Sequence, residues 1–362
     1  MGINRKRFIK KKIMLKKILL VGSILITAMM TMGKVVGICS GDFFKQPMLR
    51  VDEKQIYIID AQLRIGVIYS KEPFKKVAQF GGPGQGPGEF EFITGFMVGD
   101  RYIYVSNFPK LSLFSKKGQL IKEIRLKKFL SHVAPIGDNF IDYTNVIESR
   151  HDGLMTIKYT LYDSQLEKKK DFFSTTIPRF IDYDYRVKKK IVNWIRDCFA
   201  AYVYKDKIIV GTTEKGFYFT VFDAGGNKLY EIDRDEEKRK VTREEKKKKL
   251  EGIKRNKGPV KWKIYSSKYQ IKFRDYYPAY KDFYVNDGRI YIWGFRRDYT
   301  YDYWILDLEG NFLKKGIIPM NIIPDVNFNF YSIENGKLYR PLEYNEEWVI
   351  DAFDIWGYEG IK

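Results

Sequence analysis

The chain has 362 residues, of which 44% are hydrophobic and 16% aromatic, and its formal net charge is +20. This length and apolar content allow a large folded domain and exclude a disordered chain. Two cysteines and two histidines exclude a disulfide framework and a histidine-rich metal site.

The first predicted element is an N-terminal export segment, residues 1–38. Clustered basic residues precede an uncharged apolar run, residues 18–33, which is the order of a secretory signal. The run is short for a membrane span of about 20 residues. A cleaved signal peptide, with a mature N-terminus between Gly33 and Gly41, competes with an uncleaved membrane anchor. Both predict export to the periplasm, the cell envelope or the medium.

Two cysteines follow this segment. Cys39 is a candidate lipidation site because bacterial lipoproteins place a cysteine soon after the apolar run. The preceding residues Val36, Gly37 and Ile38 do not supply the small residue usual just before such a cysteine, so a free thiol is the alternative. Cys198 lies among apolar residues and is expected to be a buried, inert thiol.

From residue 42 onward the chain is predicted to form one domain of repeated short strands. Alternating apolar residues, bounded by Gly or Asn turns, recur as VDEKQIYIID, GDRYIYVSN, YKDKIIVGTT, NDGRIYIWGF and ENGKLYRPLE. This pattern predicts antiparallel hairpins. Six units open near Val51, Gly99, Gly137, Tyr204, Asn286 and Glu334. Four-stranded units repeated about an axis predict an all-β six-bladed β-propeller over residues 42–362, with a two-sheet sandwich as the alternative.

A Gly-rich segment, FGGPGQGPGEFEFITGF at residues 80–96, follows the first unit. Its prolines lack N–H groups and strand-like sequence follows it, which argues against a phosphate cradle. We expect a tight structural turn between blades. Phe90, the last residue of this turn, should pack beneath it together with either Phe92 or Phe96. The turn residues are Gly81, Gly82, Gly84, Gly86, Pro87, Gly88, Glu89 and Phe90.

In this segment the chain resembles bacterial six-bladed propellers related to NHL-repeat domains. Those proteins carry a Gly-rich GxGxGPGEF turn between the last strand of one blade and the first strand of the next. The resemblance extends from about Val51 to the C-terminus and implies the fold much more than an activity. The full motif occurs once here, whereas NHL repeats often carry it in several blades, so the resemblance implies a diverged, exported member.

A charged insertion, residues 234–275, interrupts the strands after the fourth unit. Thr242 and Glu245 form a capping-box pattern, and Gly258-Pro259 predicts the end of a short helix. Its lysines would suit an anionic partner such as phospholipid headgroups, cell-wall polymer or nucleic acid. We favour a solvated helix whose Glu and Lys residues pair at i to i+4 spacing, and nucleic acid is not expected outside the cytoplasm.

Catalytic motifs are scarce. His132 and His151 belong to no recognisable metal-binding motif. Propeller hydrolases that use a metal take scattered ligands from loops around the central channel. Residues of suitable types are Asp60, Asn107, Asn145, His132 and Asp302. No cofactor is predicted, and calcium is the divalent metal that such oxygen ligands would suit.

Two functions fit these observations. We favour a noncatalytic extracytoplasmic binding or scaffold protein that uses one propeller face to bind a protein, peptide or glycan and contacts the membrane only through its N-terminus. The alternative is a metal-dependent hydrolase or lyase with its site in the central channel. Three or more converging carboxylate, Asn or His side chains would indicate the enzyme. Aromatic and aliphatic side chains around the channel would indicate the binding protein.

Overall fold

The computed structural model describes residues 33–42, 44–45, 47–130, 133–146, 154–184, 188–297, 300–319, 330–344 and 347–358. Its strands form six four-stranded antiparallel sheets and one three-stranded sheet. The four-stranded sheets are the blades of a β-propeller.

The first five blades each use four strands in chain order. Blade 1 contains β2 (Pro47–Val51), β3 (Gln55–Asp60), β4 (Ile65–Lys71) and β5 (Phe74–Gly81). Blade 2 contains β6 (Ile93–Val98), β7 (Tyr102–Asn107), β8 (Lys110–Ser115) and β9 (Leu120–Arg125). Blade 3 contains β10 (Ala134–Ile136), β11 (Asn139–Val146), β12 (Leu154–Tyr162) and β13 (Lys168–Pro178). Blade 4 contains β16 (Phe199–Tyr204), β17 (Lys207–Thr212), β18 (Phe217–Asp223) and β19 (Lys228–Arg234). Blade 5 contains β21 (Asp282–Asn286), β22 (Arg289–Arg297), β23 (Thr300–Asp307) and β24 (Phe312–Pro319).

Blade 6 combines strands from opposite ends of the described chain. Three are C-terminal, β25 (Ser332–Glu334), β26 (Lys337–Tyr344) and β27 (Glu347–Asp354), and the fourth is β1 (Lys34–Ile38). β1 pairs antiparallel with β27, with Lys34 opposite Ala352 and Ile38 opposite Val349. This pairing closes the ring. The propeller therefore begins at Lys34, within the range first assigned to the export segment, and not at residue 42.

The first strand of each blade lies innermost. The innermost strand β2 contacts β6 and β25, and β21 contacts β16 and β25. Because successive strands of a blade run in opposite directions, every connection between blades starts and ends on one face. The turns between second and third strands lie there too, and we call it the connector face. The remaining turns lie on the opposite face, the turn face.

The predicted six-bladed fold is confirmed, but the predicted units begin one strand late. Val51, Tyr204 and Asn286 are the last residues of β2, β16 and β21, which are inner strands. The second and third strands carry the regular apolar pattern because both of their faces pack against neighbouring blades. The inner strands follow connections of unequal length, so they do not extend the local repeat.

Aromatic rings fill the space between blades. At the interface of blades 4 and 5, the Phe219 ring stacks on Tyr280 with centroids 5.2 Å apart and meets Phe283 edge-on at 5.1 Å. All three side chains are fully buried. Large flat rings suit this position because they cover much apolar area between two twisted sheets.

A small appendage lies on the connector face beside blades 3 to 5. It contains helix α1 (Arg243–Lys268) and a sheet of β14 (Ile181–Asp184), β15 (Lys189–Asn193) and β20 (Tyr269–Lys272). β14 and β15 belong to the connection between blades 3 and 4, whereas α1 and β20 belong to the next connection. The two connections join through parallel pairing of β15 with β20.

The helix begins as predicted, and a second helical segment follows the predicted end. Thr242 is its N-cap, and the Thr242 and Glu245 side chains each accept a hydrogen bond from the other's backbone N–H. Gly258 has φ +70° and ψ 166°, which are not helical, so the first helical segment of α1 ends there at a kink. The helix resumes at Pro259, a residue that suits the first turn of a helix. Gly258-Pro259 therefore ends the first helical segment as predicted, and the second segment, which reaches Lys268, was not predicted. Among the described residues, no helix is both long enough and apolar enough to cross a membrane.

Candidate functional site

The Gly-rich connector joins blade 1 to blade 2 through residues 82–92. It folds over Phe90, whose side chain is fully buried. The Phe90 N–H donates to the Gly82 carbonyl at 2.7 Å, and the Gly84 N–H donates to the Phe90 carbonyl at 3.1 Å. Gly81 has φ +78°, and a Cβ there would overlap the Phe90 ring. Glycine is required at this position both for its backbone conformation and for the close approach of the ring.

Backbone N–H groups of this connector donate hydrogen bonds to carboxylates of the same chain. The Gly86 N–H donates to Glu89 Oε2 at 2.8 Å, and the Gly88 N–H donates to Glu123 Oε1 at 3.1 Å. Lys110 Nζ donates to the Gly86 carbonyl at 2.7 Å and pairs with Glu123 at 2.7 Å. These amides have partners within the chain, so we interpret the connector as a structural turn and not as an anion site.

Two of the residues considered as metal ligands hold loops of the connector face. Asn107 is fully buried; its Oδ1 accepts from the N–H groups of Glu91 and Phe92 at 2.8 and 2.9 Å, and its Nδ2 donates to the Glu89 carbonyl at 3.0 Å. Asp60 is also fully buried and accepts from three backbone N–H groups, at Lys45, Gln62 and Leu63. Their oxygens serve backbone groups and are not presented to a ligand.

The other candidate ligands do not assemble with them. His132 and His151 lie outside the described residues, as does the side chain of Asn145. Asp302 lies in the third strand of blade 5 and is partly buried. Within the part of the chain that the structure describes, no group of three or more His, Cys, Asp or Glu side chains is arranged to hold a metal ion.

Three phenylalanine rings are exposed on the connector face near blade 2. Phe92 ends the Gly-rich connector, Phe108 lies in the turn between β7 and β8, and Phe129 lies in the connection to blade 3. Their exposed fractions are 62%, 37% and 54%. The Phe108 and Phe129 centroids are 5.9 Å apart, and Asn107 holds the Phe92 backbone beside this turn. We call these three residues the Phe patch.

The sequence had predicted Phe92 or Phe96 as a residue packed beneath the turn. Phe90 and Phe96 are indeed buried, with exposed fractions of 0% and 3%, whereas Phe92 faces solvent. The local sequence does not distinguish Phe92 from the buried rings. Glutamate and phenylalanine alternate in the run EFEF at residues 89–92, so either phenylalanine could face the core. Large apolar rings exposed together on one face are a feature of interaction surfaces.

A second group of side chains surrounds the propeller axis. Arg50 of blade 1 approaches Met97 of blade 2, with 3.8 Å between Nη2 and Sδ. Tyr202, Tyr284 and Tyr331 come from blades 4, 5 and 6. The ring centroids of Tyr202 and Tyr284 are 5.2 Å apart, and those of Tyr284 and Tyr331 are 6.0 Å apart. Near the axis, the described side chains thus include three aromatic rings beside an arginine and a methionine, and aromatic rings there are a feature expected of a binding protein.

Asp282, the first residue of β21, supplies a carboxylate to this group. Burial raises the pKa of Asp282 to about 7, against the smaller opposing effects of the Phe283 N–H at 2.9 Å and the Lys281 charge. Burial, and then the Asp282 charge, raise the pKa values of Tyr202 and Tyr331 well above the usual value. At neutral pH the two tyrosines are therefore uncharged.

Asp282→Asn should reduce the loss of stability that the protein shows as pH rises. The folded-state pKa of about 7 exceeds the unfolded value of about 3.9. The native state therefore binds the proton more tightly between these pH values, and stability falls as pH rises from about 4 to about 7. The full shift corresponds to about 4 kcal/mol, and we expect about 2 kcal/mol because Asp282 is partly exposed.

Urea unfolding at pH of about 5 and about 8 measures this effect. The variant should lose less stability than the wild type between the two pH values. Asp100→Asn, at an exposed turn, is the matched control and should behave like the wild type. An unchanged pH dependence in Asp282→Asn would contradict the assignment.

Both cysteines are buried. Cys39 directly follows β1 and is 1% exposed, and its N–H donates to the Trp348 carbonyl at 2.7 Å. Burial raises the pKa of Cys39 to about 11 and that of Cys198 well above its usual value. A lipidated Cys39 would require cleavage just before it, which would remove β1, and would require the sulfur to leave the core. The structure therefore does not support lipidation at this position.

This geometry agrees with a family-level match. A family model described as a 6-bladed beta-propeller, DUF5128, matches residues 47–293, which is more than half of the chain. The chain belongs to this family. The matched range of the DUF5128 propeller contains blades 1 to 4, the appendage and the beginning of blade 5. None of the curated proteins matches the chain.

Solved structures are similar to this DUF5128 propeller in fold. The crystal structure of a candidate exported protein from Bacteroides fragilis has 14% identity and a TM-score of 0.52, covering 89% of this chain and 93% of that one. The β-propeller domain of Cps50 (Swd1) from Myceliophteria thermophila has 10% identity and a TM-score of 0.43, covering 88% and 99%. The Neurospora crassa Pan2 WD40 domain has 8% identity and a TM-score of 0.38, covering 85% and 89%. At these identities, the similarity to the Bacteroides fragilis protein shows the fold alone.

Proposed function

We propose that the protein is a noncatalytic binding or scaffold protein outside the cytoplasm, and that its connector face binds a protein, peptide or glycan through the Phe patch. The exposure of these three rings carries the proposal. They lie on three separate segments, so their presence on one face is a property of the fold and not of one apolar stretch. The aromatic surroundings of the propeller axis also favour binding over metal-dependent catalysis.

The size of the Phe patch suits the centre of an interface. A phenylalanine side chain offers roughly 200 Å², so the exposed fractions amount to about 300 Å² of apolar surface. At about 25 cal/mol per Å², covering it would contribute about 7 kcal/mol before the costs of association. A stable interface buries about 800 Å² on each partner. Neighbouring connector residues would therefore form the polar rim around the patch.

Two observations support a location outside the cytoplasm. The N-terminal segment has the order of a secretory signal, with basic residues before an apolar run. The fold is also that of the candidate exported protein from Bacteroides fragilis. The resemblance to bacterial NHL-like propellers at residues 80–96 agrees with the same assignment.

Site-specific photo-crosslinking tests the proposal in cells that export the full chain. A photoreactive phenylalanine at position Phe108 should give discrete crosslinked species. The matched control is the same substitution at Trp356, an aromatic residue that is 41% exposed and lies on the turn face. Identical crosslinks from both positions, or none from either, would contradict binding through the connector face.

A further inference from the structure

The surface of helix α1 is not explained by the packing of the propeller. None of its 26 residues is buried. A helix that contributes nothing to the core is free to carry polar residues of any kind, yet this one holds eleven basic residues and only three acidic residues. Its formal charge is therefore +8, concentrated in one element on the connector face.

The acidic residues of α1 do not balance this charge. Glu245 is engaged in the capping box and pairs with Arg239. Glu244 pairs with Lys248 at 3.0 Å, which is the i to i+4 arrangement expected of a solvated helix. Three carboxylates cannot pair with eleven basic groups. The predicted pattern of mutually stabilising Glu and Lys residues therefore describes only the first turns of the helix.

The part of α1 after the kink also exposes apolar side chains. Val260 and Ile264 lie one helical turn apart and are 73% and 55% exposed. Lys261 and Lys263 flank them in the sequence and are exposed as well. Apolar residues on one side of a lysine-rich helix are the features of helices that lie at a membrane surface.

Aromatic rings hold this part of the helix against the appendage sheet. Tyr265 stacks on Tyr269 of β20 with centroids 4.5 Å apart, and Trp262 lies 5.9 Å from Tyr265. Lys257 lies over the Tyr265 ring at 4.2 Å. Trp262 and Tyr265 thus pack within the appendage. The helix is fixed in place while Val260 and Ile264 remain outside.

An ion pair fixes the segment of the chain that follows α1 and β20. Arg274 forms a two-pronged ion pair with Asp197, with Nη1 to Oδ1 at 2.8 Å and Nη2 to Oδ2 at 2.5 Å. Asp197 also accepts a hydrogen bond from the Thr213 hydroxyl of blade 4 at 3.1 Å. Because these contacts join both connections to blade 4, the appendage is positioned as a unit on the connector face.

We propose that the appendage docks on an anionic lipid surface. The lysines of α1 contact the headgroup phosphates, and Val260 and Ile264 enter the headgroup region. Charge alone would suit any polyanion, but two exposed aliphatic side chains gain from contact with a lipid boundary and not from contact with a hydrated polymer. This surface is separate from the Phe patch at blades 1 to 3, so it does not depend on the proposed partner.

Vesicle co-sedimentation tests this proposal with the chain from Gly33 onward, which contains all six blades and lacks the apolar N-terminal run. Vesicles of phosphatidylcholine alone are compared with vesicles containing about 30 mol% phosphatidylglycerol. We expect binding to the anionic vesicles, little binding to the neutral ones, and weaker binding at high salt. Val260→Asp with Ile264→Asp should weaken binding by at least about tenfold.

The charge contribution is measured with a matched pair of triple variants. Lys254→Gln, Lys257→Gln and Lys261→Gln together should weaken binding by at least about tenfold. The control removes the same charge from the outer strand of blade 3, at Lys168, Lys169 and Lys170, and should leave binding close to the wild type. Circular dichroism checks that each variant is folded.

Three results would overturn the proposal. The first is the absence of binding to anionic vesicles. The second is equal loss of binding in both triple variants, which would indicate attraction by net charge alone. The third is full binding by the variant with aspartate at positions 260 and 264, which would indicate a polyanion site without contact to the lipid boundary.

Discussion

A chain that begins at Gly41 should be less stable than a chain that begins at Gly33 by about 4 kcal/mol. The shorter chain lacks β1, which forms the outer strand of blade 6. Each lost strand hydrogen bond contributes about 1 kcal/mol. Cys39, which is 1% exposed, is lost with the strand. Gly37 also lies so close to the Phe74 ring of blade 1 that a Cβ there would overlap it. β1 therefore also packs against the neighbouring blade.

Urea unfolding of the two chains measures the difference. Val35→Ser in the longer chain is the matched control, because Val35 lies in β1 but is 54% exposed, and its midpoint should change little. Equal midpoints for the chains that begin at Gly33 and Gly41 would show that ring closure does not require β1. The same reasoning places any signal-peptide cleavage that preserves the closed propeller before Lys34.

Arg340→Leu should destabilise the protein by about 3–5 kcal/mol. Arg340 and Asp351 form an ion pair between β26 and β27 in which both side chains are 3% exposed. Arg340 Nη2 and Nε donate to Asp351 Oδ2 at 2.8 and 3.0 Å. Removing the guanidinium leaves a buried carboxylate without its cation, which is costly in a region of low dielectric constant.

A double-mutant cycle separates the charge effect from the loss of packing. Arg340→Leu combined with Asp351→Leu should be more stable than Arg340→Leu alone, because no unpaired charge is left. Lys314→Leu, which removes a partly exposed cation of blade 5, is the control and should change stability by less than about 1 kcal/mol. A double variant that is less stable than both single variants would contradict this explanation.

Much of the propeller could be predicted because its strands are local. β3, β4, β7 and β8 are short, largely apolar runs joined in pairs by short turns, and the capping box of α1 needs only four consecutive residues. The closing strand could not be predicted in this way, because Lys34–Ile38 pairs with residues more than 300 positions away. It also adjoins the apolar export segment, so its short apolar sequence appeared to belong there.

The appendage sheet was missed for a similar reason. β15 and β20 pair in parallel across two separate connections, and parallel pairing leaves no hairpin turn in the sequence. The first helical segment of α1 could be predicted, but the second could not, because Gly258 and Pro259 have the same sequence signature at a kink and at an end.

The Phe patch required the three-dimensional structure. Phe92, Phe108 and Phe129 are ordinary members of a chain with 26 phenylalanines, most of which suit the interfaces between blades. Whether a phenylalanine ring is exposed depends on where its connection crosses the face of the propeller. The alternation of residues in the local sequence does not show this. Asn107 shows the opposite case, since its amide type suggested a ligand whereas its contacts are those of a buried loop anchor.

We propose above that the Phe patch is a binding surface. The most direct test places a photoreactive phenylalanine at Phe92 and compares the crosslinks in the wild-type background with those in a chain carrying Phe108→Ser and Phe129→Ser. We expect discrete crosslinked species in the first chain and their loss in the second, with both chains equally exported and folded. The same crosslinked species at the same yield in both chains would show that the neighbouring rings do not bind the partner and would contradict the claim.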